Sequence, residues 1–421
     1  MLRVDLSQAR PGMELAMPVT HPRSPETVLL RAGFTLDGKT IDRLSELRAR
    51  EIWIKYPGME FVAEHISPAI VRAGQRLSGA IGSAFEEVLR DGAADLEYTS
   101  YRRAIQELME RLVECPRAGV FVMDLASSET PLSRSAGQGC FIALLLGLKL
   151  ETYLMLSRAR LGLVARDVSN LGMGALLRDI GMLARPAPDR WQWRLCCDEV
   201  DPTWRDHVTA GYEMVRGEIE PSAAAAVLHH HQHFDGSGFP HRTMVSGKEE
   251  PLRGTDIHIF ARIIAAADVF ERMRFPPAPA AGQPEPAPVP VVRVLNRLLR
   301  GPESAWLDPM VMKALVQAAP PFPQGSLVTL SNGLRCAVTA CDPRDPCRPE
   351  VAVLDRFALE PGKFEHPRER IDLRETEHLH IAEAEGQDVS TDLFFPQTPD
   401  EFDVHKAQTA LIRRPMDGVA G

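Results

Sequence analysis

The sequence has few features of secreted or membrane-spanning chains. Its seven cysteines are odd in number and show no C-x-x-C spacing, so they fit a reduced compartment better than a disulfide framework. The first residues, MLRVDLSQARPGMELAMPV, lack the long apolar segment of a signal peptide. The most apolar stretch, CFIALLLGLKLETYLMLSRARLGLV, is interrupted by charged residues between Lys149 and Arg160, so we do not expect it to span a bilayer unassisted. These absences predict a cytoplasmic protein.

Basic residues are also in deficit, because 48 Lys and Arg stand against 57 Asp and Glu, for a formal net charge of −9. This balance argues against a nucleic-acid polymer or an acidic membrane surface as a general partner. The rest of the composition, 44% hydrophobic and 25% charged, is ordinary for a globular protein. At 421 residues the chain can form two or three domains, each with its own core.

The hydrophobic pattern divides the chain into five segments. The first predicts a small N-terminal α+β domain, because strand formers such as EIWIKY follow a helical stretch, GKTIDRLSEL. A helical connector comes next, followed by a mainly helical domain with a Pro-rich excursion at 275–292. The helical connector favours a homodimer. A β-rich piece with an SNG turn and a flexible polar tail complete the chain. The expected boundaries are 1–60, 61–130, 131–318, 319–385 and 386–421.

Four stretches place an acid or a histidine in an apolar helical frame. They are LLRDIGML (176–183), DHVTAGYEMV (206–215), VLHHHQHFDGSGFP (227–240) and ARIIAAADVFERM (261–273). Asp179 and Asp268 each follow apolar residues, where a carboxylate is costly to bury without a partner. A metal ion or an arginine could stabilise both.

Four of the 13 histidines lie between residues 229 and 233. Neighbours in a helix diverge by about 100°, so His230 and His231 can share one site only near a helix end. The following DGSG supplies such an end, since Gly236 and Gly238 can adopt positive φ. Imidazoles and carboxylates are ligands for divalent metals that activate water for phosphodiester hydrolysis.

In their order along the chain these motifs resemble the HD-GYP family. The resemblance covers D-I-G at 179–181, H-x-x-x-G at 207–211, the His pair with DGSGFP, and RIIAAAD. It implies a mainly α fold, an HD-type helical bundle core with a small N-terminal α+β domain and a short β-rich C-terminal piece. It also implies a metal-dependent phosphodiesterase that cleaves cyclic di-GMP in bacterial second-messenger signalling. By position, the implied metal ligands are Asp179, His207, His230, His231 and Asp268.

The loop that gives the family half its name matches Gly236, Gly238, Phe239 and Pro240. Phe239 lacks only the hydroxyl of the family's tyrosine. The resemblance implies that these residues bind substrate and that signalling proteins dock on the loop.

The departures from the family pattern concern positions of the predicted metal and phosphate site. Arg178 stands where the family has a histidine, Met182 where it has a phosphate-facing lysine, and Gln232 where it has a glutamate. The helix FIALLLGLKLETYLML has no histidine, and the family's basic R-P-Y-R-like run is missing after Asp268. A guanidinium about 4 Å from a divalent ion would repel it by roughly 8 kcal/mol at an effective dielectric near 20. We therefore expect one Fe, Mn or Zn ion rather than two or three, with Arg178 replacing another and pairing with Asp179 and Asp268.

Several of these positions also have simpler interpretations. Asp179 and Asp268 could be buried partners of Arg178 without a metal, and His207 could be a helix N-terminal residue with no special role. The His pair could be a solvated helix end. His229 and His233 are expected to be exposed neighbours rather than ligands.

Two functions of different classes follow from these motifs. In the first, the protein hydrolyses cyclic di-GMP, with Asp179 and the three histidines holding the ion and Arg178 steadying Asp268 or the phosphate. In the second, the centre is degenerate and the protein is a nucleotide-responsive or protein-binding signalling module. Arg178, Met182 and Gln232 favour the second function, and the retained ligand positions favour the first.

Overall fold

The protein is described by a computed structural model that covers most of the chain. The described residues are 1–21, 24–47, 49, 51–65, 68–91, 96–114, 131–158, 168–184, 202–244, 246–276, 286–354, 360, 364, 366–367 and 369–413. Within them the chain forms twelve α-helices and twelve β-strands. The expectation of a mainly α fold with a β-rich C-terminal region is confirmed.

The N-terminal segment folds as short antiparallel strands around one helix. Its elements are β1 (Leu2–Asp5), β2 (Val19–His21), β3 (Ser24–Leu30), α1 (Gly38–Glu46) and β4 (Glu51–Ile54). β1 pairs with β4 and β2 pairs with β3. The Asp37 carboxylate accepts a 2.7 Å hydrogen bond from the Thr40 amide and so caps α1.

Two amphipathic helices, α2 (Pro68–Asp91) and α3 (Tyr98–Glu114), lead into the central bundle. In α3 the residues Tyr101, Ile105 and Leu108 recur every three or four positions and are buried, which places one face of this helix against the core.

The central bundle holds the residues with catalytic potential. It consists of α4 (Pro131–Lys149), α5 (Glu151–Arg158), α6 (Ser169–Leu177), α7 (Asp206–Val215), α8 (Pro221–His229), α9 (Ile259–Arg274), α10 (Val291–Arg300) and α11 (Pro309–Ala318). A 3₁₀ turn, Ile180–Ala184, continues the chain after α6. α6 and α9 are buried on almost every side. This is expected for α6, which is almost entirely apolar, whereas α9 also buries charged residues such as Arg262 and Asp268. A short ribbon of β5 (Arg242–Thr243) and β6 (Glu249–Glu250) follows α8.

Among the described helices, none is by itself long and apolar enough to cross a membrane. One pair, Leu132–Lys149 with Glu151–Arg158, meets the length and composition criteria when its two parts are taken together, but it bends by 84° between them.

The C-terminal sheet is antiparallel and has six strands. They are β7 (Leu327–Leu330), β8 (Arg335–Ala340), β9 (Glu350–Val353), β10 (Arg370–Asp372), β11 (Ile381–Ala384) and β12 (Gln387–Asp388), in the order β10-β9-β8-β7-β11-β12. The predicted SNG turn joins β7 to β8, with Gly333 at φ +83°. On β8, Cys336 and Val338 pack into the helical core while Ala337 packs into the N-terminal core. The sheet therefore lies between the helical core and the N-terminal core.

The cysteines in the described part of the chain form no disulfide. Cys140, Cys336, Cys341 and Cys347 are free thiols, and the other three cysteines lie outside the described residues.

The expectation of a flexible tail over 386–421 is wrong for residues 386–413. β12 and α12 (Val404–Arg413) lie there, and Phe394 and Phe402 pack edge to face with ring centroids 5.7 Å apart. Gln408 donates a 3.0 Å hydrogen bond to the carbonyl oxygen of Lys149 and accepts one of the same length from the Tyr153 amide. One amide therefore bridges the break between α4 and α5. Residues 414–421 lie outside the described part of the chain, as do residues 277–285, which are half of the Pro-rich excursion.

A buried ion pair joins α9 to the start of α11. Arg262 Nη1 lies 2.5 Å from Asp308 Oδ2, and both side chains are at most 3% exposed. The Tyr153 hydroxyl donates a 2.8 Å hydrogen bond to the same carboxylate oxygen, and the Met310 amide donates to its other oxygen at 2.8 Å. Asp308 is thus a helix cap and the counter-ion of a buried guanidinium at once.

We expect Asp308→Ala to lower the free energy of unfolding by about 3–5 kcal/mol, because it leaves Arg262 buried without its carboxylate and removes a helix cap. Urea denaturation measures the loss. The control is Asp400→Ala, whose carboxylate pairs with Lys406 at side-chain exposures of 46% and 62% and should contribute less than about 1 kcal/mol. Equal losses in the two variants would contradict this assignment.

Candidate metal centre

Four side chains from separate parts of the bundle converge on one buried point. They are Asp179, His207, His230 and His231, and one potential ligand atom from each lies within 4.8 Å of the others. In the described part of the chain this is the one such group of three or more His, Cys, Asp or Glu side chains.

The local structure explains how each side chain reaches that point. Asp179 lies between α6 and the 3₁₀ turn, and His207 is the second residue of α7. α8 ends at His229, His230 is its C-cap, and His231 follows. The rings of His230 and His231 lie 4.1 Å apart at their centroids, so the prediction that this pair lies at a helix end is confirmed. The alternative of a solvated pair is wrong, because the two residues are 1% and 3% exposed.

Gly181 allows the segment after Asp179 to lie directly on α7. A Cβ atom at Gly181 would collide with the carbonyl oxygen of His207 and lie 2.5 Å from the amide nitrogen of Gly211. Both obstacles are main-chain atoms of a helix and cannot move aside. The absence of a side chain at residue 181 therefore sets the distance between Asp179 and His207.

Backbone carbonyls fix the tautomers of two of the imidazoles. His207 Nδ1 lies 2.5 Å from the carbonyl oxygen of Trp204, and His230 Nδ1 lies 2.8 Å from that of Val227. A carbonyl oxygen only accepts hydrogen bonds, so Nδ1 carries the proton in both rings. The Nε2 lone pairs then point to the centre of the group, which is the usual arrangement in metal-binding histidines.

The distances inside the group fit a shared cation better than direct hydrogen bonds. His207 Nε2 and His230 Nε2 each lie 3.6 Å from Asp179 Oδ1, which is too long for a hydrogen bond. None of these three buried atoms has a hydrogen-bond partner among the described residues. Two ligands about 2.1 Å from one ion at a tetrahedral angle lie about 3.4 Å apart. The donor set and its spacing therefore fit a divalent cation.

The protonation states also suit metal binding. Burial and the nearby His231 lower the pKa of His207 to about 4, and burial likewise lowers the pKa of His230. Burial opposes ionisation of Asp179, but the Arg178 guanidinium and His230 outweigh it and hold the pKa of this carboxyl below its usual range. These shifts favour neutral imidazoles at His207 and His230 and a charged carboxylate at Asp179, which are the forms that ligate metals.

Arg178 forms the ion pairs that the sequence analysis predicts. Its Nε lies 3.0 Å from Asp268 Oδ1 and 3.2 Å from Asp179 Oδ2, and the side chain is 1% exposed. Its Nη1 donates to the carbonyl oxygen of Ala175 at 3.0 Å, and its Nη2 donates to Ser135 Oγ at 2.7 Å. The guanidinium is therefore held on several sides in a fixed position.

A glycine on α4 provides the space for this guanidinium. A Cβ atom at Gly139 would collide with Arg178 Nη1 and lie 2.8 Å from Cζ. Sequence reasoning did not identify Gly139 or Ser135. The available signal is the cluster of small residues in SRSAGQG, which interrupts an otherwise apolar helix.

The structure does not bring Asp268 into the group of four. Its Oδ1 faces Arg178, and its Oδ2 lies 2.9 Å from Nε of Arg272, one helical turn later on α9. Burial opposes ionisation of Asp268, but Arg272 and Arg178 outweigh it and lower its pKa. Asp268 is thus placed between two guanidiniums.

The DGSGFP loop folds back against the His pair. Gly236 has φ +89°, as predicted, whereas Gly238 is needed for close packing, because a Cβ there would collide with the carbonyl oxygen of His231. The Phe239 ring is buried and stacks on the His231 ring, with centroids 4.9 Å apart and an interplanar angle of 15°. The Gln232 side-chain amide donates to the carbonyl oxygen of Pro240. Gly238 and Phe239 therefore lie directly against His231, and Phe239 supports its ring.

The two outer histidines are not fully exposed, in contrast to the expectation. The ring of His233 stacks on Trp306 with centroids 4.3 Å apart, and half-burial together with His230 lowers the pKa of His229 to about 4. Neither belongs to the group of four. Met182 is 1% exposed, so an apolar side chain fills the position where a phosphate-facing lysine would stand.

The chain is similar to several known proteins. A family model described as an HD domain matches residues 122–283. The cyclic di-GMP phosphodiesterase PA4108 of Pseudomonas aeruginosa is 24% identical over 372 residues, which is 82% of this chain and 82% of that protein. The cyclic di-GMP phosphodiesterase response regulator RpfG of Xanthomonas campestris is 35% identical over 119 residues, 27% of this chain and 29% of its own length. The solved structure of Bd1817, an HDG"Y"P protein from Bdellovibrio bacteriovorus, covers 75% of this chain and 97% of its own, with 16% identity and a TM-score of 0.43.

We expect Gly181→Ala to lower the metal content of the protein, because the added methyl forces Asp179 away from His207. The same substitution should lower the free energy of unfolding by about 1–3 kcal/mol. Elemental analysis and urea denaturation measure the two effects. Gly79→Ala in α2 is the control, since a Cβ there meets no atom within 4 Å, and it should be neutral or stabilising by up to about 1 kcal/mol. A Gly181→Ala protein with wild-type metal content would refute the packing argument.

Proposed function

This chain belongs to the HD-GYP family, and we propose that it is a metal-dependent phosphodiesterase that acts on cyclic di-GMP. The observation that carries the proposal is the convergence of Asp179, His207, His230 and His231 in a buried group whose spacing fits a divalent cation. The names of the relatives from Pseudomonas and Xanthomonas support cyclic di-GMP as the substrate.

The residues of the group would hold the ion and keep its surroundings fixed. Three nitrogen donors and one oxygen donor are acceptable to iron, manganese or zinc. When bound, a divalent ion supplies Lewis-acid chemistry, since it acidifies water and offsets negative charge on phosphoryl oxygens. The carbonyl oxygens of Trp204 and Val227 hold the rings of His207 and His230 in their ligating orientation, and Phe239 covers one face of His231.

The charge around the group supports one ion rather than two or three. Three carboxylates, Asp179, Asp268 and Glu271, are linked to the guanidiniums of Arg178 and Arg272 directly or through Ser135, for a formal charge of −1. One divalent ion would change this to +1, which suits a phosphodiester anion. A second would bring it to +3 in a buried network, at a cost of several kcal/mol per close pair of like charges. We therefore propose that Arg178 stands in place of a second metal ion between Asp179 and Asp268.

A second candidate function rests on Met182. This buried side chain supplies no cation for a substrate phosphate, which favours a nucleotide-responsive or protein-binding signalling module built on the same metal group. Docking proteins would then meet the exposed Asp235 and Ser237 of the loop rather than the buried Phe239. The two candidates differ in whether cyclic di-GMP is turned over.

We expect the wild-type protein supplied with Mn²⁺ or Fe²⁺ to convert cyclic di-GMP to pGpG or GMP. His230→Ala should lose metal, and its rate should fall by more than about 100-fold. Loss of a residue that only orients a metal ligand already lowers metal affinity or activity by about 10–100-fold, and His230 would be a ligand itself. Chromatography of the nucleotides and elemental analysis provide the readouts. His241→Ala, an exposed histidine of the same loop, is the control and should retain both properties. Tight nucleotide binding without any product in the wild type would favour the signalling module instead.

Replacing Arg178 tests the number of ions. We expect Arg178→His to raise the metal content from about one to about two ions per chain, because it removes the fixed positive charge and adds an imidazole ligand. Arg178→Lys keeps the charge and should stay at one. Elemental analysis of folded protein, checked by circular dichroism, gives the count, and an unchanged value for Arg178→His would count against the replacement of a metal by this arginine.

A further inference from the structure

Arg272 connects the buried ionic network to solvent. Its Nε lies 2.9 Å from Asp268 Oδ2, and its side chain is 21% exposed. The other members of this chain of ion pairs, Arg178, Asp179 and Asp268, are at most 2% exposed. Among these four side chains, Arg272 is therefore the one that is partly exposed to solvent.

A phosphodiester at the metal group needs a cation at that edge. Arg178 is fully buried and already donates to Ala175 and Ser135, so it stabilises the carboxylates rather than an external anion. Met182 is apolar. A guanidinium has five N–H donors in a planar fork, so Arg272 can contact Asp268 and a phosphate oxygen at the same time.

Another exposed arginine near the site is placed less favourably. The Arg205 guanidinium lies over the Phe239 ring, 5.1 Å from its centroid, and the Phe239 ring in turn stacks on His231. An aromatic ring therefore separates Arg205 from the group of ligands. Arg272 is instead linked to the group by ion pairs, through Asp268 and Arg178.

We propose that Arg272 binds a phosphodiester oxygen of the substrate and that Asp268 is the positioning residue that holds it there. The inference rests on the proposed function and deepens it, because it assigns the phosphate-binding cation of the same site. It also gives Asp268 a role other than metal ligation. One oxygen of its carboxylate fixes the internal cation and the other fixes the cation that faces the substrate.

The test compares Arg272→Gln with the wild type in two measurements. One is the KM for cyclic di-GMP, and the other is the dissociation constant of inorganic phosphate, measured by calorimetry on the metal-loaded protein. A charge-assisted hydrogen bond to phosphate corresponds to about tenfold or more in affinity. We expect both constants to rise by that factor while the metal content stays at the wild-type value. Tm should fall, because the buried Asp268 carboxylate loses one of its two guanidinium partners, so both constants are measured at a temperature where the variant is folded. For Arg272→Lys, both constants should lie between those of the wild type and those of Arg272→Gln.

Arg216→Gln is the matched control, because Arg216 is 60% exposed and pairs with Glu213 on the surface of α7. It removes the same charge and should leave both constants unchanged. Wild-type phosphate affinity in Arg272→Gln would overturn the inference, and so would a loss of metal in parallel with affinity, since Arg272 would then support the metal group alone. If the wild type binds phosphate through Arg272 but neither binds nor cleaves cyclic di-GMP, the proposed function fails and the assignment of Arg272 stands. If the wild type binds neither anion, both fail.

Discussion

The centre of this molecule depends on how one buried carboxylate is stabilised. Asp179 is 2% exposed, and burying an ionised carboxylate without compensation costs several kcal/mol. Arg178 compensates on the side of Oδ2, but Oδ1 faces the Nε2 lone pairs of His207 and His230. Three acceptors that face one another without hydrogen bonds repel, and a divalent cation among them would remove this repulsion. The proposed metal would thus stabilise the group as well as supply its chemistry.

Three glycines allow the chain segments of the site to pack closely enough to form this group. Gly181 lets the turn after Asp179 lie on α7, and Gly139 makes room for the Arg178 guanidinium. Gly238 lets the loop return to the carbonyl oxygen of His231, where Phe239 then stacks on the imidazole. Each glycine sits where two backbone segments, or a backbone and a guanidinium, approach too closely for a Cβ atom. The positions of the ligands are therefore fixed by close packing between elements that are distant in sequence.

Sequence patterns could predict the four side chains that converge and the mainly helical fold, because these depend on residue type and spacing. The pairing of Arg178 with two carboxylates could also be predicted, since buried charges need partners. The slot at Gly139 and the position of Asp268 beside Arg272 could not, because they depend on how α4, α6 and α9 cross. The polar composition of the C-terminal residues concealed a docked segment, since a few side chains such as Phe394 are enough to anchor it.

The most direct test of the central claim is a crystal structure with anomalous diffraction data collected at the absorption edge of the bound metal. The account predicts one anomalous peak per chain, within bonding distance of Asp179, His207, His230 and His231, with the Arg178 guanidinium between Asp179 and Asp268. No peak in that group, or a second peak in the place of the guanidinium, would contradict it.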